Sequence, residues 1–242
     1  MTEAILIKLL HLHYRSRFRR DWLWSKEGPH FFNHRIGCFD FMFGNASGGG
    51  YPYYRGFFVS ELLRQGDRLL DIGCGDGFFT KRFFSKRCEN IDATDVEADA
   101  IESAQRHNAA SNIRYYLLDA VVQPFPAKQY DVAVWDGAIG HFAATTTKAM
   151  LEKIILALAS DGIFSGSESL GHEGHDHLQF FQGVEDLDAL FGRHFTYRAY
   201  RVIEYDTGFA PGLIRREVFW RCSAESTRIE RSGWTTLTGK IR

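Results

Sequence analysis

The chain has 242 residues, with 29 lysines and arginines against 30 aspartates and glutamates, which gives a net charge of −1. Hydrophobic residues make up 45% and charged residues 24%, as in ordinary globular proteins, and the length allows a sizeable core. This composition excludes a disordered chain, a collagen-like fibre and a disulfide-stapled miniprotein. The near-neutral charge provides no general attraction for nucleic acid, so no nucleic-acid partner is expected.

The first 55 residues differ from the rest and are predicted to form an N-terminal cap or lid. Residues 1–27 have apolar side chains at helical spacing followed by arginines, the pattern of a basic amphipathic helix. Such a helix either packs on its own domain, which we favour, or contacts a membrane surface. Residues 28–55 have the glycines and aromatics of a loop.

The cysteines and the apolar segments indicate the cellular compartment in which the protein is expected. The four cysteines include no C-x-x-C pair, which favours a reduced protein over a disulfide framework. The sequence contains no run of 18 apolar residues, so no membrane span is predicted. The apolar stretch at the start precedes its positive charges, the reverse of an export signal. We therefore expect a cytoplasmic protein.

From residue 56 to residue 242, strands and helices alternate at short spacing in what is predicted to be a single domain. The predicted strands cover residues 68–72, 89–94, 113–118, 130–135, 162–167, 195–205 and 214–222. The predicted helices cover residues 57–65, 78–86, 97–107, 147–159 and 185–191. This order predicts a doubly wound, mostly parallel α/β sheet with helices on both faces. The last two strands have no helix between them and should pair as a hairpin at one edge.

A glycine-rich turn joins the first strand to its helix, with the sequence Asp-Ile-Gly-Cys-Gly-Asp-Gly at residues 71–77. Glycines let the backbone approach a ligand closely, and ligands of open α/β sheets lie at the carboxyl ends of the strands. A nicotinamide fingerprint needs a small residue at position 78, which is Phe78 here. Asp71 and Asp76 would repel a pyrophosphate and suit a cation. S-adenosylmethionine carries a sulfonium and an ammonium and no phosphate, so it is the favoured cofactor.

This turn resembles motif I of the class I S-adenosylmethionine-dependent methyltransferases, and the resemblance extends over about residues 56–222. It implies a Rossmann-like sheet of seven strands with one antiparallel strand near an edge. It also implies that Asp95 holds the ribose and that Asp119 contacts the adenine amine. The predicted cofactor-binding residues are Asp71, Gly73, Cys74, Gly75, Asp76, Gly77, Asp95, Val96, Asp119, Ala120 and Asp136.

A narrower resemblance connects residues 31–35, 134–142 and 216–220 to bacterial methyltransferases associated with polysaccharide synthesis. It implies a small-molecule or sugar-like acceptor. In that group an acidic residue commonly precedes the histidine of the fourth-strand motif, whereas this chain has Gly140 there.

Histidines are the main candidates for binding or deprotonating the methyl acceptor. His141 follows the fourth strand, so it is expected beside the cofactor, either as the base that takes the acceptor's proton or as a loop histidine bonded to backbone. The segment after the fifth strand contains three more histidines. They could line an acceptor pocket, lie in a solvated loop or bind a metal ion, and we rank these alternatives in that order. We therefore predict no bound metal. The predicted catalytic residues are His141 and His177. The predicted substrate-binding residues are His34, Arg35, Tyr54, His172 and His175.

These patterns indicate an S-adenosylmethionine-dependent methyltransferase acting on a small-molecule or sugar-like acceptor, with oxygen as the methylated atom. One alternative is a non-catalytic cofactor-binding or scaffold protein of the same fold. Another is a nicotinamide-dependent oxidoreductase, which would need a small residue at position 78 and a Tyr/Lys or His/Asp catalytic pair that is not evident. The sequence assigns no oligomeric state.

Overall fold

A computed structural model describes residues 5, 6, 8, 9, 12, 13, 51–171, 177–206, 214–225, 228, 229 and 233–239. The six described residues near the N terminus are helical and exposed, and the rest of the predicted cap before residue 51 lies outside the described residues. No helix among the described residues is long and apolar enough to cross a membrane.

Eight strands form one sheet in the order β3-β2-β1-β4-β5-β7-β6-β8. In chain order they are β1 Arg68–Ile72, β2 Asn90–Asp95, β3 Ile113–Leu117, β4 Tyr130–Trp135, β5 Leu158–Leu170, β6 Tyr197–Asp206, β7 Ile214–Ser223 and β8 Thr235–Thr238. The pairs β1–β2, β1–β4, β2–β3 and β4–β5 are parallel. The doubly wound α/β prediction is therefore confirmed, and the carboxyl ends of β1 to β5 share one edge.

The strand count differs from the predicted seven because of β8, which pairs antiparallel with β6. This strand has the sequence Thr-Thr-Leu-Thr, and the β-propensity of threonine is its main strand signal, because no apolar alternation marks it. The predicted pairing of the last two long strands is confirmed, since β6 and β7 are antiparallel. β7 also pairs antiparallel with β5, so it lies between β5 and β6.

Four α-helices are described in full: α1 Tyr51–Ser60, α2 Ala98–His107, α3 Ala144–Ala157 and α4 Val184–Phe191. Helix α1 begins six residues before the predicted position 57, in a segment predicted to be a loop. Pro52 lies in its first turn, where proline is tolerated because the amide there has no intrahelical partner. The predicted helix after the glycine turn contains a π-helical turn at Thr80–Phe84. A short 3-10 turn, Ile139–His141, follows β4.

Apolar side chains cover both faces of the sheet, as a parallel sheet requires. One buried cluster, between β4, β5, β7 and helices α3 and α4, includes Leu151, Phe164 and Trp220. The other, between β1, β2 and helix α1, includes Leu62, Leu69 and Ile91. The two clusters fix the strands from opposite sides, so the loops after β1 to β5 are held at a rigid edge.

Candidate active site

A cavity of about 420 Å³ opens at the carboxyl ends of β1, β2, β3 and β4. Its volume lies within the range of small-molecule sites, and its place matches the binding crevice of open α/β sheets. It is lined by Arg55, Ile72, Gly73, Thr94, Asp95, Val96, Glu97, Leu118, Asp119, Ala120, Val121, Trp135, Asp136, Gly137, Ala138, His141, Phe142 and Met150.

Asp95 ends β2 and connects it to the glycine turn. Its Oδ2 accepts a hydrogen bond of 2.8 Å from the Gly75 amide, and its Oδ1 accepts one of 2.9 Å from the Glu97 amide. Burial raises the pKa of Asp95 above its ordinary value, although these backbone hydrogen bonds oppose that shift. The carboxylate is thus fixed by two amides while still lining the cavity.

Asp119 lies in the loop after β3, at the other end of the cavity from β4. Its Oδ1 accepts a hydrogen bond of 2.9 Å from the Val121 amide, and its own amide donates to Gln123 Oε1 at 2.8 Å. The cavity wall is apolar here and consists of the side chains of Val96, Leu118, Ala120 and Val121. This end combines a fixed carboxylate with apolar side chains, which suits an aromatic group that carries a hydrogen-bond donor.

The residues of the glycine turn divide between the cavity and the interior. Gly73 lines the cavity with a φ of 73°, and open space surrounds the position of a Cβ there. Asp71 is buried, accepts a hydrogen bond of 2.6 Å from Thr80 Oγ1, and is not among the lining residues. Cys74 and Asp76 are buried too, and Asp76 Oδ1 accepts the Phe78 amide at 3.0 Å.

Gly77 is required by packing beneath the turn. Its φ is 70°, and a Cβ there would lie 2.5 Å from the Tyr115 hydroxyl. Gly75 has a φ of 55° and, like Gly77, is not among the lining residues. The turn therefore exposes one glycine to the cavity, and its other residues shape the backbone that presents it.

A buried group of charges lies where β4 meets α1. Arg55 Nε is 3.7 Å from Asp136 Oδ2, and Arg55 Nη2 is 3.7 Å from Glu217 Oε1 on β7. The Ser167 hydroxyl on β5 contacts both Asp136 Oδ1 and Glu217 Oε1. A Cβ on Gly137 would lie 2.0 Å from Arg55 Nη2, so a side chain there would displace the guanidinium, and the φ of 62° favours glycine as well. Four elements thus converge on this end of the cavity.

His141 lines the cavity after β4 and contacts His177 edge to face, with ring centroids 4.4 Å apart. The Gly140 amide donates to Glu168 Oε2 at 2.8 Å, and the Gly140 carbonyl accepts the Leu178 and Gln179 amides. A Cβ on Gly140 would lie 2.6 Å from His177 Nδ1. Glycine in place of the acidic residue therefore leaves room for the second imidazole.

Of the remaining predicted acceptor residues, the structure describes Tyr54. Tyr54 is exposed and stacks on Phe58, with centroids 5.7 Å apart, and it is not among the lining residues. His34, Arg35, His172 and His175 lie outside the described residues. In the described part of the chain, no group of three or more His, Cys, Asp or Glu side chains could hold a metal ion.

Residues 69–162 match the family described as a methyltransferase domain, which covers the glycine turn and β1 to the start of β5. This segment of the chain is therefore a methyltransferase domain, of the type that uses S-adenosylmethionine. Its cavity lies within this matched segment except for Arg55. The cofactor of this methyltransferase family is S-adenosylmethionine, so the lining residues can be tested against that molecule.

Curated relatives agree with this family and differ in their reactions. An uncharacterised methyltransferase of Mycobacterium tuberculosis is 32% identical over 33% of this chain and 40% of its own length. A malonyl-[acyl-carrier protein] O-methyltransferase of Acetivibrio thermocellus is 27% identical over 60% of this chain and 45% of its own length. A mitochondrial arginine hydroxylase of Rattus norvegicus is 27% identical over 56% of this chain and 43% of its own length. The chain therefore matches less than half the length of these relatives.

A solved structure shows the same fold. The N-methyltransferase NodS of Bradyrhizobium japonicum, in complex with S-adenosylhomocysteine, has a TM-score of 0.56 and 17% identity. The match covers 72% of this chain and 88% of NodS.

The residues that line the cavity suit S-adenosylmethionine in charge and leave room for it. Asp95, Glu97, Asp119 and Asp136 give the cavity an excess of negative charge over Arg55, which suits the sulfonium and ammonium cations. Open space above Gly73 leaves room for a ligand against the backbone. Two of the charged lining residues, Arg55 and Glu97, were not predicted from the sequence. Glu97 follows Asp95 by two positions and could have been found from that spacing, whereas Arg55 depends on where α1 packs.

Proposed function

We propose that this methyltransferase transfers the methyl group of S-adenosylmethionine to an oxygen atom of a small-molecule or sugar-like acceptor, with His141 as the general base. The observation that carries the proposal is that His141 lines the same cavity as the acidic residues at the ends of β2 and β3. The cofactor, when bound, supplies a methyl group already activated by its sulfonium. The chain's own residues must then bind, align and remove a proton.

At the cofactor end, Asp95 and Asp119 are the proposed hydrogen-bond acceptors. Asp95 lines the cavity while backbone amides orient it, so its carboxylate is already in place for ribose hydroxyls. Asp119 is oriented by the Val121 amide and is proposed to accept the adenine amine. Val96 and Ala120 provide the apolar contacts on either side, which supports the role implied for them by the family resemblance.

At the acceptor end, the position of His141 is fixed by the hydrogen bonds of the preceding residue, Gly140. Glu168 is 3% exposed, and its Oε2 accepts the Gly140 amide, which ties the 3-10 turn to β5. His177 packs against His141 and stacks on Phe180, with centroids 6.2 Å apart. A neutral imidazole has a ring nitrogen that accepts a proton, so a histidine in this position is suited to take one from a hydroxyl. We propose His177 as the residue that orients this imidazole toward the acceptor.

The wall around His141 is aromatic. Trp135 is buried and packs against Phe142, with ring centroids 5.4 Å apart, and both line the cavity with Met150. An apolar wall excludes water from the reacting atoms, which strengthens the electrostatic interactions inside the cavity. It also suits the apolar face of a sugar ring or another flat acceptor.

We propose that residues 1–55 cap the domain formed by residues 56–242. Arg55, at the boundary, lines the cavity, which supports a contribution of the preceding segment to the site. The absence of a C-x-x-C pair among the four cysteines supports a cytoplasmic location.

The experiment is methyl transfer from S-adenosylmethionine labelled on its methyl group, with panels of hydroxylated and amine acceptors, sugars and nucleotide sugars among them. We expect label on an oxygen atom of one class of acceptor, located by tandem mass spectrometry as the added mass of one labelled methyl group. With His141→Ala the label should appear about 10²–10⁴-fold more slowly. Label on nitrogen would overturn the choice of oxygen. Cofactor binding without transfer to any acceptor would favour the non-catalytic alternative, or a different reaction as in the arginine hydroxylase relative.

A further inference from the structure

Lys153 on helix α3 is not among the residues that line the cavity, yet it contacts the β3–β4 loop (residues 118–129). Its ammonium donates a hydrogen bond of 2.6 Å to the Ala120 carbonyl and another to the Gln123 carbonyl. The ammonium also lies 4.8 Å from the centroid of the Phe125 ring, within the range of a cation–π contact. One side chain of α3 therefore holds the loop at three positions.

Gln123 connects this attachment to Asp119. Its Oε1 accepts a hydrogen bond of 2.8 Å from the Asp119 amide, and its own amide donates to the Asp119 carbonyl at 2.9 Å. Val121 and Val122, which lie between the two residues, are exposed, so core packing contributes little to the shape of this stretch. Hydrogen bonds therefore fix Asp119 to Gln123, and Gln123 is the residue whose carbonyl Lys153 holds.

The charge of Lys153 also belongs to this arrangement. Burial lowers the pKa of Lys153 below its ordinary value, and the Asp119 carboxylate opposes that shift. An ammonium that is partly removed from water needs carbonyl oxygens or an opposite charge to offset the lost hydration. The Ala120 and Gln123 carbonyls and the Asp119 carboxylate provide both, so the lysine and the loop stabilise each other in this one conformation.

We propose that Lys153 is a positioning residue, which orients Asp119 through Gln123 and thereby sets the preference of the site for adenine over a base without the exocyclic amine. Asp119 is the proposed acceptor for that amine, so the inference rests on the proposed function. An acceptor that is already oriented loses less freedom when its donor binds, so Lys153 contributes to affinity without contacting the ligand. Hypoxanthine has a carbonyl oxygen in place of the amine and cannot donate from there to the carboxylate.

The test is calorimetry on the full chain with S-adenosylhomocysteine and S-inosylhomocysteine, which carry adenine and hypoxanthine. We expect the wild type to bind the adenine form at least about 10-fold more tightly, as for a hydrogen bond to a charged group. Lys153→Met should weaken the adenine form by about 5- to 20-fold and change the hypoxanthine form by less than about twofold. Lys153→Arg keeps the charge and the donors and should retain most of the preference. An equal loss for both ligands would overturn the proposal, since a purely structural lysine would affect them alike.

A double-mutant cycle tests whether Lys153 acts through Asp119. Asp119→Ala should abolish the preference for adenine, and adding Lys153→Met to it should change the affinity for S-adenosylhomocysteine by less than about twofold. Additive losses would overturn the proposal. A full preference in Asp119→Ala would show that the adenine contact of the proposed function is wrong. A preference lost in Asp119→Ala and kept in Lys153→Met would overturn this inference alone.

Two further variants separate the expected outcome from a folding defect. Lys148→Met removes an exposed lysine from the same helix and should bind both ligands as the wild type does. Gln123→Ala removes the exposed side chain that accepts the Asp119 amide, so it should show the same adenine-specific loss as Lys153→Met. If Lys153→Met does not fold, Gln123→Ala decides, since a wild-type preference in that variant overturns the proposal.

Discussion

The Asp95 carboxylate accepts a hydrogen bond of 2.8 Å from the Gly75 amide, and this contact ties the end of β2 to the glycine turn after β1. The same carboxylate lines the cavity. One side chain therefore fixes the backbone beneath the ligand and offers an acceptor to it. Because the carboxylate is placed before the ligand arrives, binding does not have to order it.

Loss of the Asp95 carboxylate is expected to weaken the cofactor. Asp95→Ala should reduce the affinity for S-adenosylhomocysteine by about 1–3 kcal/mol for each hydroxyl left without a partner, measured by calorimetry. Asp99→Ala removes an exposed carboxylate from the first turn of α2 and should leave affinity unchanged. Equal affinities of wild type and Asp95→Ala would contradict the proposed ribose contact.

His141→Ala is expected to lower the rate of the chemical step by about 10²–10⁴-fold, because a general base contributes about that much. Cofactor affinity should change little, since the proposed cofactor contacts lie on other residues. His177→Ala should have a smaller effect on the rate, as it acts through the orientation of His141. Single-turnover kinetics from pH 6 to 9 provide the measurement. A full rate in His141→Ala across that range would show that the base lies elsewhere.

The stability of the ligand-free protein should depend on pH through Asp71. Burial raises the pKa of this carboxyl from 3.8 to about 7, and the nearby Asp136 and Asp95 add to the shift while the Thr80 hydrogen bond opposes it. The folded protein thus keeps a proton that the unfolded chain releases near pH 4. This contribution to stability is fully present below the unfolded pKa and is lost as the pH rises through about 7.

Asp71→Asn should remove that dependence, because the amide carries no charge and can still accept the Thr80 hydrogen bond. Thermal unfolding between pH 5 and 8 should show a flatter profile for the variant and a higher Tm than the wild type at pH 8. Asp99→Asn, on an exposed carboxylate, is the matched control. Parallel profiles of wild type and Asp71→Asn would contradict the expected protonation.

Gly166 on β5 is expected to tolerate no side chain. A Cβ there would lie 2.1 Å from the Trp135 carbonyl oxygen and 2.4 Å from the Trp220 ring. Gly166→Ala should therefore lower the free energy of unfolding by about 1–3 kcal/mol, the usual cost of overpacking, in denaturant titrations. Gly66→Ala, where nothing lies within 4 Å of the added carbon, should change stability far less. Similar stabilities of the two variants would contradict the packing around Trp135.

The positions of residues at the ends of parallel strands could be predicted from the sequence, because they depend only on the alternation of strands and helices. Asp95, Asp119, Asp136 and His141 each follow a strand, and all four line one cavity. Within the glycine turn, spacing alone did not distinguish Gly73, which lines the cavity, from residues that face the interior. That distinction depends on the rotation of the chain through the turn.

Tertiary packing determined the features that the sequence did not predict. Arg55 reaches the cavity because α1 begins at Tyr51 and packs so that this side chain meets Asp136. His177 was predicted together with His141, and its place in the structure depends on Gly140, which leaves space for the ring and whose carbonyl accepts two amides from the later segment. The contact of Arg55 with Asp136 joins residues far apart in the chain, so no local pattern marks it. Strand β8 was missed because its threonines show no apolar alternation.

The most direct test of the central claim, that the cavity above the glycine turn binds S-adenosylmethionine, is calorimetric titration of Gly73→Val with S-adenosylhomocysteine. Gly73 lines the cavity and open space surrounds its Cβ position, so a valine would occupy the volume of the ligand. Gly239→Val is the matched control, since Gly239 also has a positive φ, 90°, and open space, but does not line the cavity. We predict that the wild type and Gly239→Val bind and that folded Gly73→Val does not. Wild-type affinity in Gly73→Val, or no binding by the wild type, would contradict the claim.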